Sequence, residues 1–179
     1  YIPLDKIKCP RHPVIHILSK NEIQSLFAEI DSYRPARPSP ETLRISKEYP
    51  VLFRLILTTG LRRSEAVSIL LSDLNIKERT IMIRNAKGHK DRIISISGDM
   101  AVLLEKYQHF IKITIPGQEK WLFPAADPSC HLSSGALGGR FNQFWNQTSC
   151  ATGCSRKPTI PSLRHTFVVI RINAWMEQG

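Results

Sequence analysis

Apolar residues recur along this chain at two spacings, which divide it into helices and one hairpin. From Leu18 onward, "LSKNEIQSLFAEID" carries them about a helical turn apart. Ser19 stands at its start and Glu22 three residues on, the pairing of a capping box. "SYRPARPSPE" is too rich in proline to hold either period and predicts a connection. A second helix is predicted through "EYPVLFRLILTT", with Pro50 in its first turn, where the missing N–H is tolerated. It is apolar on nearly every side and so belongs in the core. Gly60 follows where a left-handed C-cap belongs, and "RRSEAVSILL" predicts a third helix at once.

The pattern then changes period. "TIMIRNAKGHKDRIISIS" alternates and is β-branched at both ends around a polar, glycine-containing middle. That predicts a hairpin pairing Thr80 to Arg84 with Arg92 to Ser97. Two more helices are expected near "DMAVLLEKYQHFIK" and "SSGALGGRFNQFWNQ". In the last, "SLRHTFVVIRINAWMEQ", Leu163, Phe167, Ile170 and Ala174 fall on one helical face. The whole reads as mainly α with a small antiparallel β-sheet, an α+β domain without internal repeats.

Composition narrows the class. With 179 residues, 42% of them hydrophobic, the chain can bury a core. No apolar run approaches the roughly 18 residues of a membrane span, and the opening "YIPLDKIKCPRHP" lacks a signal-peptide core. The absence of an initiator Met reads as a piece cut from something longer. The net charge of +10 fits either a basic surface kept soluble by charge or an anionic partner, above all nucleic acid. Cys9, Cys130, Cys150 and Cys154 follow no disulfide framework. Cys150 and Cys154 with Cys130 and His131, or Cys9 with His12, offer metal ligands, but CxxC knuckles are absent and reduced thiols are the preferred reading. No metal is expected.

Three places could carry chemistry. Arg62 opens a helix directly after a rigid one, so it either forks onto phosphate oxygens or pairs with Glu65 three residues on. Arg164 is placed in the first turn of the last helix, with His165 beside it. It is either a surface cation or the second jaw of a phosphate clamp. Arg84, Lys87, Lys90 and Arg92 crowd the hairpin tip around His89, with Asp91 opposing. Such a run is either a solvated turn or a mobile arm able to protonate a leaving oxygen.

Taken together, "TTGLRRSE", the hairpin "NAKGHKDRIISI", "LFP" and "PSLRHTF" resemble, in order and spacing, the tyrosine recombinases or phage-type integrases. "HILSKNEIQSLF" is similar to the usual opening of that family's catalytic domain. The resemblance implies a domain over residues 18–179, preceded by a linker over 1–17 from an N-terminal DNA-clamping domain. It implies double-stranded DNA as substrate, and a tyrosine that attacks the scissile phosphate to leave a 3′-phosphotyrosine without any cofactor. Carried over, Arg62 and Arg164 hold the non-bridging oxygens and Lys87 is the general acid, with Lys90 as stand-in. Glu65 and Asp73 support the site, His165 matches a frequent neighbouring histidine, and Arg63, Arg84, Lys90 and Arg92 are expected to contact DNA.

Two departures stand against the family pattern. Pro161 occupies the place of a histidine three residues before Arg164. The tyrosines, Tyr1, Tyr33, Tyr49 and Tyr107, all precede Arg164, so the nucleophile is expected beyond Gly179. The piece by itself is therefore expected to be an inactive monomer, and the full protein a tetramer on DNA in the cytoplasm, at the nucleoid of a prokaryotic host. A decayed, non-catalytic DNA-binding regulator is the alternative reading. A two-metal nuclease does not fit, since paired-carboxylate spacing is lacking.

Overall fold

The computed structural model of the protein describes residues 15–86, 90–115, 117, 120–154 and 156–178. Helix α1 (Lys20–Ser32) starts at the predicted box: the Glu22 amide donates to Ser19 Oγ at 3.3 Å, and the Ser19 amide to Glu22 Oε2 at 2.8 Å. Helix α2 (Pro40–Thr59) begins well before the place its sequence suggests. Ser39 caps it through the Thr42 amide, and Pro40 supplies a preset φ in the first turn. The proline-rich connection thus ends in a helix start, and Pro50 lies in the helix interior rather than the first turn. The carbonyl that Pro50 leaves without its helical donor belongs to Ser46, on a partly exposed stretch of the helix.

The apolar second half of α2 is the centre of the molecule. Leu52, Phe53, Leu55 and Ile56 are fully buried, each worth roughly 1.5–3 kcal/mol of transfer free energy. Phe53 meets Phe141 and Phe144 edge-on and stacks on Tyr49. Phe141 and Phe144 come from α5 (Ser134–Gln147), and Trp145 beside them is also fully buried. Helix α4 (Gly98–Thr114) and helix α6 (Ile160–Gln178) pack on α2 as well.

Helix α3 (Arg63–Val67) is shorter than its sequence predicts. The chain leaves the helix to place Leu70 in a bridge with Trp121, and the Leu122 amide donates to Ile69 O at 2.9 Å. This backbone pairing with the "LFP" region outcompetes another helical turn. The sheet has order β1-β2-β3, with β1 (Leu74–Asn75) added to the expected hairpin of β2 (Thr80–Ala86) and β3 (Lys90–Ser95). The register pairs Thr80 with Ser95 and Ile83 with Arg92.

The last helix departs most from its predicted face. Leu163 is buried and Phe167 half-buried, but Ile170 is 49% exposed, along with Val168, Val169, Ile172, Trp175 and Met176. Only the first half of α6 lies on α2 and α5, so Leu163, Phe167, Ile170 and Ala174 do not form one buried stripe. No helix among the described residues is long and apolar enough to cross a membrane.

Candidate active site

Gly60 explains how two arginines a hundred residues apart come to one place. It ends α2 in the left-handed conformation, φ 67°, with its amide on Ile56 O at 2.9 Å. Its carbonyl then accepts Arg164 Nη1 at 2.7 Å. Phe167, one turn beyond Arg164, covers Gly60 so closely that an added Cβ would lie 2.5 Å from the ring. Arg62, two residues after Gly60, is the N-cap of α3. The α2 terminus therefore sets the positions of both guanidiniums at once. Arg164 itself lies one turn into α6, which starts at Ile160, rather than in the first turn.

Arg62 and Arg164 line one cleft of about 380 Å³, shared with Arg63, Ser64, Ser134 and Pro161. Behind it sits Glu65. Its Oε2 accepts the Arg62 amide at 2.9 Å, and its Oε1 accepts Arg62 Nη1 at 2.8 Å. Arg92 reaches the same carboxylate from β3, with Nη1 on Oε1 at 3.2 Å and Nη2 on Oε2 at 2.9 Å. The salt-bridge and phosphate-clamp readings of Arg62 are thus compatible.

The charges are unbalanced in favour of an anion. Two guanidiniums, Arg62 and Arg92, bind one buried carboxylate, and a third, Arg164, stands close enough to feel its charge. Burial, and then the charge of Arg62, pull the Arg164 guanidinium below its ordinary value; Arg92 adds to this and Glu65 opposes it. A guanidinium stays protonated even so. A phosphate-sized anion in the cleft would relieve that repulsion and meet planar donors.

Glu65 itself is a strong acid here. Burial pushes its carboxyl up, but hydrogen bonds from Arg92, the Arg62 amide and the Arg62 guanidinium outweigh it and hold the group at about 2. Its folded value thus lies below the ordinary 4.5, so its stabilising contribution is full above pH 4.5 and is lost as pH falls through about 2. Glu65→Gln is expected to flatten that acid limb. Urea midpoints measured across the range check it, and a limb of unchanged steepness would refute the assignment.

The other expected residues scatter around the cleft. Arg63 leans over α5, with Nη1 3.9 Å from the Cβ position of Gly138. The Asp73 side chain, 4% exposed, holds Arg84 by Nε at 2.7 Å and Nη2 at 2.6 Å, an ion pair that leaves the Arg84 side chain 54% exposed. Lys90 opens β3 and is exposed, and His165 is partly buried on α6 beside Arg164. Lys87 and His89 lie outside the described residues, as do Cys9 and His12. Cys130 and His131 do not join Cys150 or Cys154 in a ligand cluster among the described residues. Instead Cys154 Sγ lies 3.8 Å from His16 Nδ1, and His16 Nε2 is 2.9 Å from Glu22. Each ring nitrogen is thereby occupied, and the chain of contacts ties residues before α1 to those before α6. Ser64, Ser134 and the Gly60 carbonyl were not marked as site residues by sequence; nothing in their local pattern distinguishes them.

This fold, a helical core that brings two arginines to one cleft beside a small antiparallel sheet, is that of the tyrosine recombinase catalytic domain. A crystal structure of XerA recombinase superposes with a TM-score of 0.63, at 20% identity over 96% of this chain and 55% of that one. The Tn1549 transposon integrase in complex with transposon right end DNA gives 0.65, at 19% identity over 95% and 57%. The chain belongs to the phage integrase family, whose pattern matches residues 16–178. Tyrosine recombinase XerA of Saccharolobus solfataricus is 37% identical over 122 residues, 68% of this chain and 36% of that protein. Tyrosine recombinase XerC 2 of Ralstonia nicotianae is 32% identical over 104 residues, 58% and 27%. The chain spans about half the length, or less, of these and similar curated relatives.

Proposed function

We propose that this chain is the catalytic core of a site-specific DNA recombinase, with Arg62 and Arg164 gripping the two non-bridging oxygens of the scissile phosphate. The observation that carries this reading is their shared cleft, which Arg62, Arg63 and Arg164 line while Glu65 lies paired behind it. As a tyrosine oxygen attacks phosphorus, charge builds on those oxygens, and donors already in place offset it without reorganising. The tyrosine gives up its phenolic proton to solvent as its O–P bond forms, the P–O5′ bond breaks, and Lys87 delivers a proton to the departing 5′-oxygen. A second strand's 5′-hydroxyl reverses the exchange, so the bond energy is conserved and no cofactor is consumed.

In this reading residues 18–179 form the catalytic domain and 1–17 a linker; Leu18, whose amide donates to Thr166 Oγ1 at 2.9 Å, is the first buried residue described. The attacking tyrosine lies beyond Gly179 in the complete protein. Tyr49 and Tyr107 are each 3% exposed, deep in the core, and unsuited to attack. In this reading residues 1–179 grip DNA, and the complete protein works as a tetramer on DNA in the prokaryotic cytoplasm. Pro161 gives the cleft no imidazole at that position, so the proton work falls to Lys87, with His165 adjacent to the second arginine.

Two measurements test the proposal. In the complete gene product, Arg62→Ala or Arg164→Ala should abolish trapping of a covalent adduct on a suicide DNA substrate while melting stays near wild type. Adduct formation at the wild-type rate would refute the roles. For residues 1–179, log affinity for duplex DNA should fall linearly with log salt, by about 0.9 per phosphate engaged. Affinity indifferent to salt would exclude phosphate contacts.

A further inference from the structure

We infer that Arg92 is a positioning residue of the cleft, acting on DNA through Glu65 and Arg62 rather than by a phosphate contact of its own. The inference rests on the phosphate role proposed for Arg62. By sequence, Arg92 is one of several cations of a basic hairpin, expected to touch DNA. Its place in the fold is different. Arg92 pairs with Ile83 across the hairpin, and directly paired residues present side chains on the same face of the sheet. Ile83 is buried at 2% exposure, so Arg92 emerges on the covered face, where its guanidinium meets Glu65. A slip of one residue would put Asp91 or Ile93 there instead.

The bonding shows what the contact does. The Arg92 fork takes both oxygens of Glu65, and Arg62 takes both again through its amide and Nη1. One carboxylate thus accepts four N–H bonds, which fills its lone pairs. The Glu65 side chain is only 6% exposed, so water could not replace a lost partner. Arg92 does not line the cleft that Arg62, Arg63 and Arg164 share.

Charge counting gives the reason for a second arginine. Arg62 and Glu65 alone would cancel, leaving that jaw of the clamp little net charge to offer a phosphate. With Arg92 also on the carboxylate, the trio carries one net positive charge. Arg62 then spends one guanidinium nitrogen, Nη1, on Glu65 among the described residues. Its Nε and Nη2 donate to no other group among the described residues and remain for the cleft. Without Arg92, the carboxylate would draw Arg62 inward by default.

A binding cycle on residues 1–179 with a short fluorescein-labelled duplex tests this. Arg92→Gln should weaken binding about 5–30-fold, the equivalent of 1–2 kcal/mol. In an Arg62→Ala background the same change should have no further effect on affinity or on the salt slope. Arg92→Lys, which keeps the charge but not the fork, should recover only part of the loss. A direct phosphate contact predicts the opposite: an equal loss in both backgrounds, a slope lower by about 0.9 in each, and Arg92→Lys near wild type. That result overturns the inference alone. If Arg62→Ala itself leaves affinity and slope at wild-type values, the phosphate reading of the cleft falls and takes the inference with it. Melting of each variant shows whether a loss of binding is a loss of fold; an Arg92→Gln protein that binds weakly only because it is unfolded would also count against positioning.

Discussion

Gly60→Ala is expected to unsettle both the fold and the grip on DNA, more than alanine at any other described glycine. Two costs combine. A φ of 67° disfavours any residue with a Cβ, and the new methyl would lie 2.5 Å from Cδ1 and 2.9 Å from Cε1 of Phe167. Phe167 is only half-buried, so its ring can give part of that distance. The rest must come from α6, which carries Arg164 with its guanidinium tied to the Gly60 carbonyl, and so moves one jaw of the clamp. Overpacking of this kind costs about 1–3 kcal/mol, to which the backbone strain is added. Urea denaturation and duplex binding read the two effects separately. A second change, Phe167→Val, should recover part of the stability by relieving the clash, while the strain at φ remains. A Gly60→Ala protein with wild-type midpoint and affinity would show that this junction does not govern the cleft.

Glu48→Leu is expected to cost about 3–5 kcal/mol, the largest purely structural loss predicted here, because it strands a buried charge. Arg44 is 3% exposed and Glu48 0%; Arg44 Nη1 donates to Glu48 and to the Pro124 carbonyl, and the Tyr107 hydroxyl donates to Glu48 at 3.2 Å. This knot fastens α2 to α4 and to the "LFP" segment. Replacing both partners, as Arg44→Met with Glu48→Leu, should restore most of the loss, since an apolar pair needs no counter-charge. The knot also carries a pH signature opposite to that of Glu65. Burial pushes the Glu48 carboxyl up to about 7, against the pull of Arg44 and Tyr107. Its folded value exceeds the ordinary 4.5, so the folded state is favoured below pH 4.5 and loses that advantage as pH rises to about 7. Glu48→Gln should remove this decline between pH 4.5 and 7. Equal urea midpoints for Glu48→Leu and wild type at pH 8 would contradict the account of the knot.

Local chemistry made much of this legible in advance. The Ser19–Glu22 box, the left-handed Gly60 and the alternating hairpin each depend on residues a few positions apart, and each lies where its pattern says. The start of α2 was missed because Ser39-Pro40 looks like one more break in a proline-rich run, although the same pair is a cap followed by a favoured first residue. Periodicity runs past the end of α3 because that end is decided by a bridge from Leu70 to Trp121, 51 residues away. No periodicity could show that Arg92 faces Glu65 and Arg84 faces Asp73, since that follows from the strand register and the packing of the sheet on α3. Nor did the apolar spacing of α6 reveal that Ile170 and Trp175 stay exposed, because spacing says which residues share a face and not what covers it.

The central claim is that Arg62 and Arg164 hold a single phosphate. A double-mutant cycle on duplex affinity tests it most directly, comparing Arg62→Ala, Arg164→Ala and the pair. Two jaws on one ion should be strongly coupled, so that the double variant departs from the sum of the single losses by more than about 0.5 kcal/mol. Losses that simply add would mean two independent contacts, and the shared-phosphate account would be wrong.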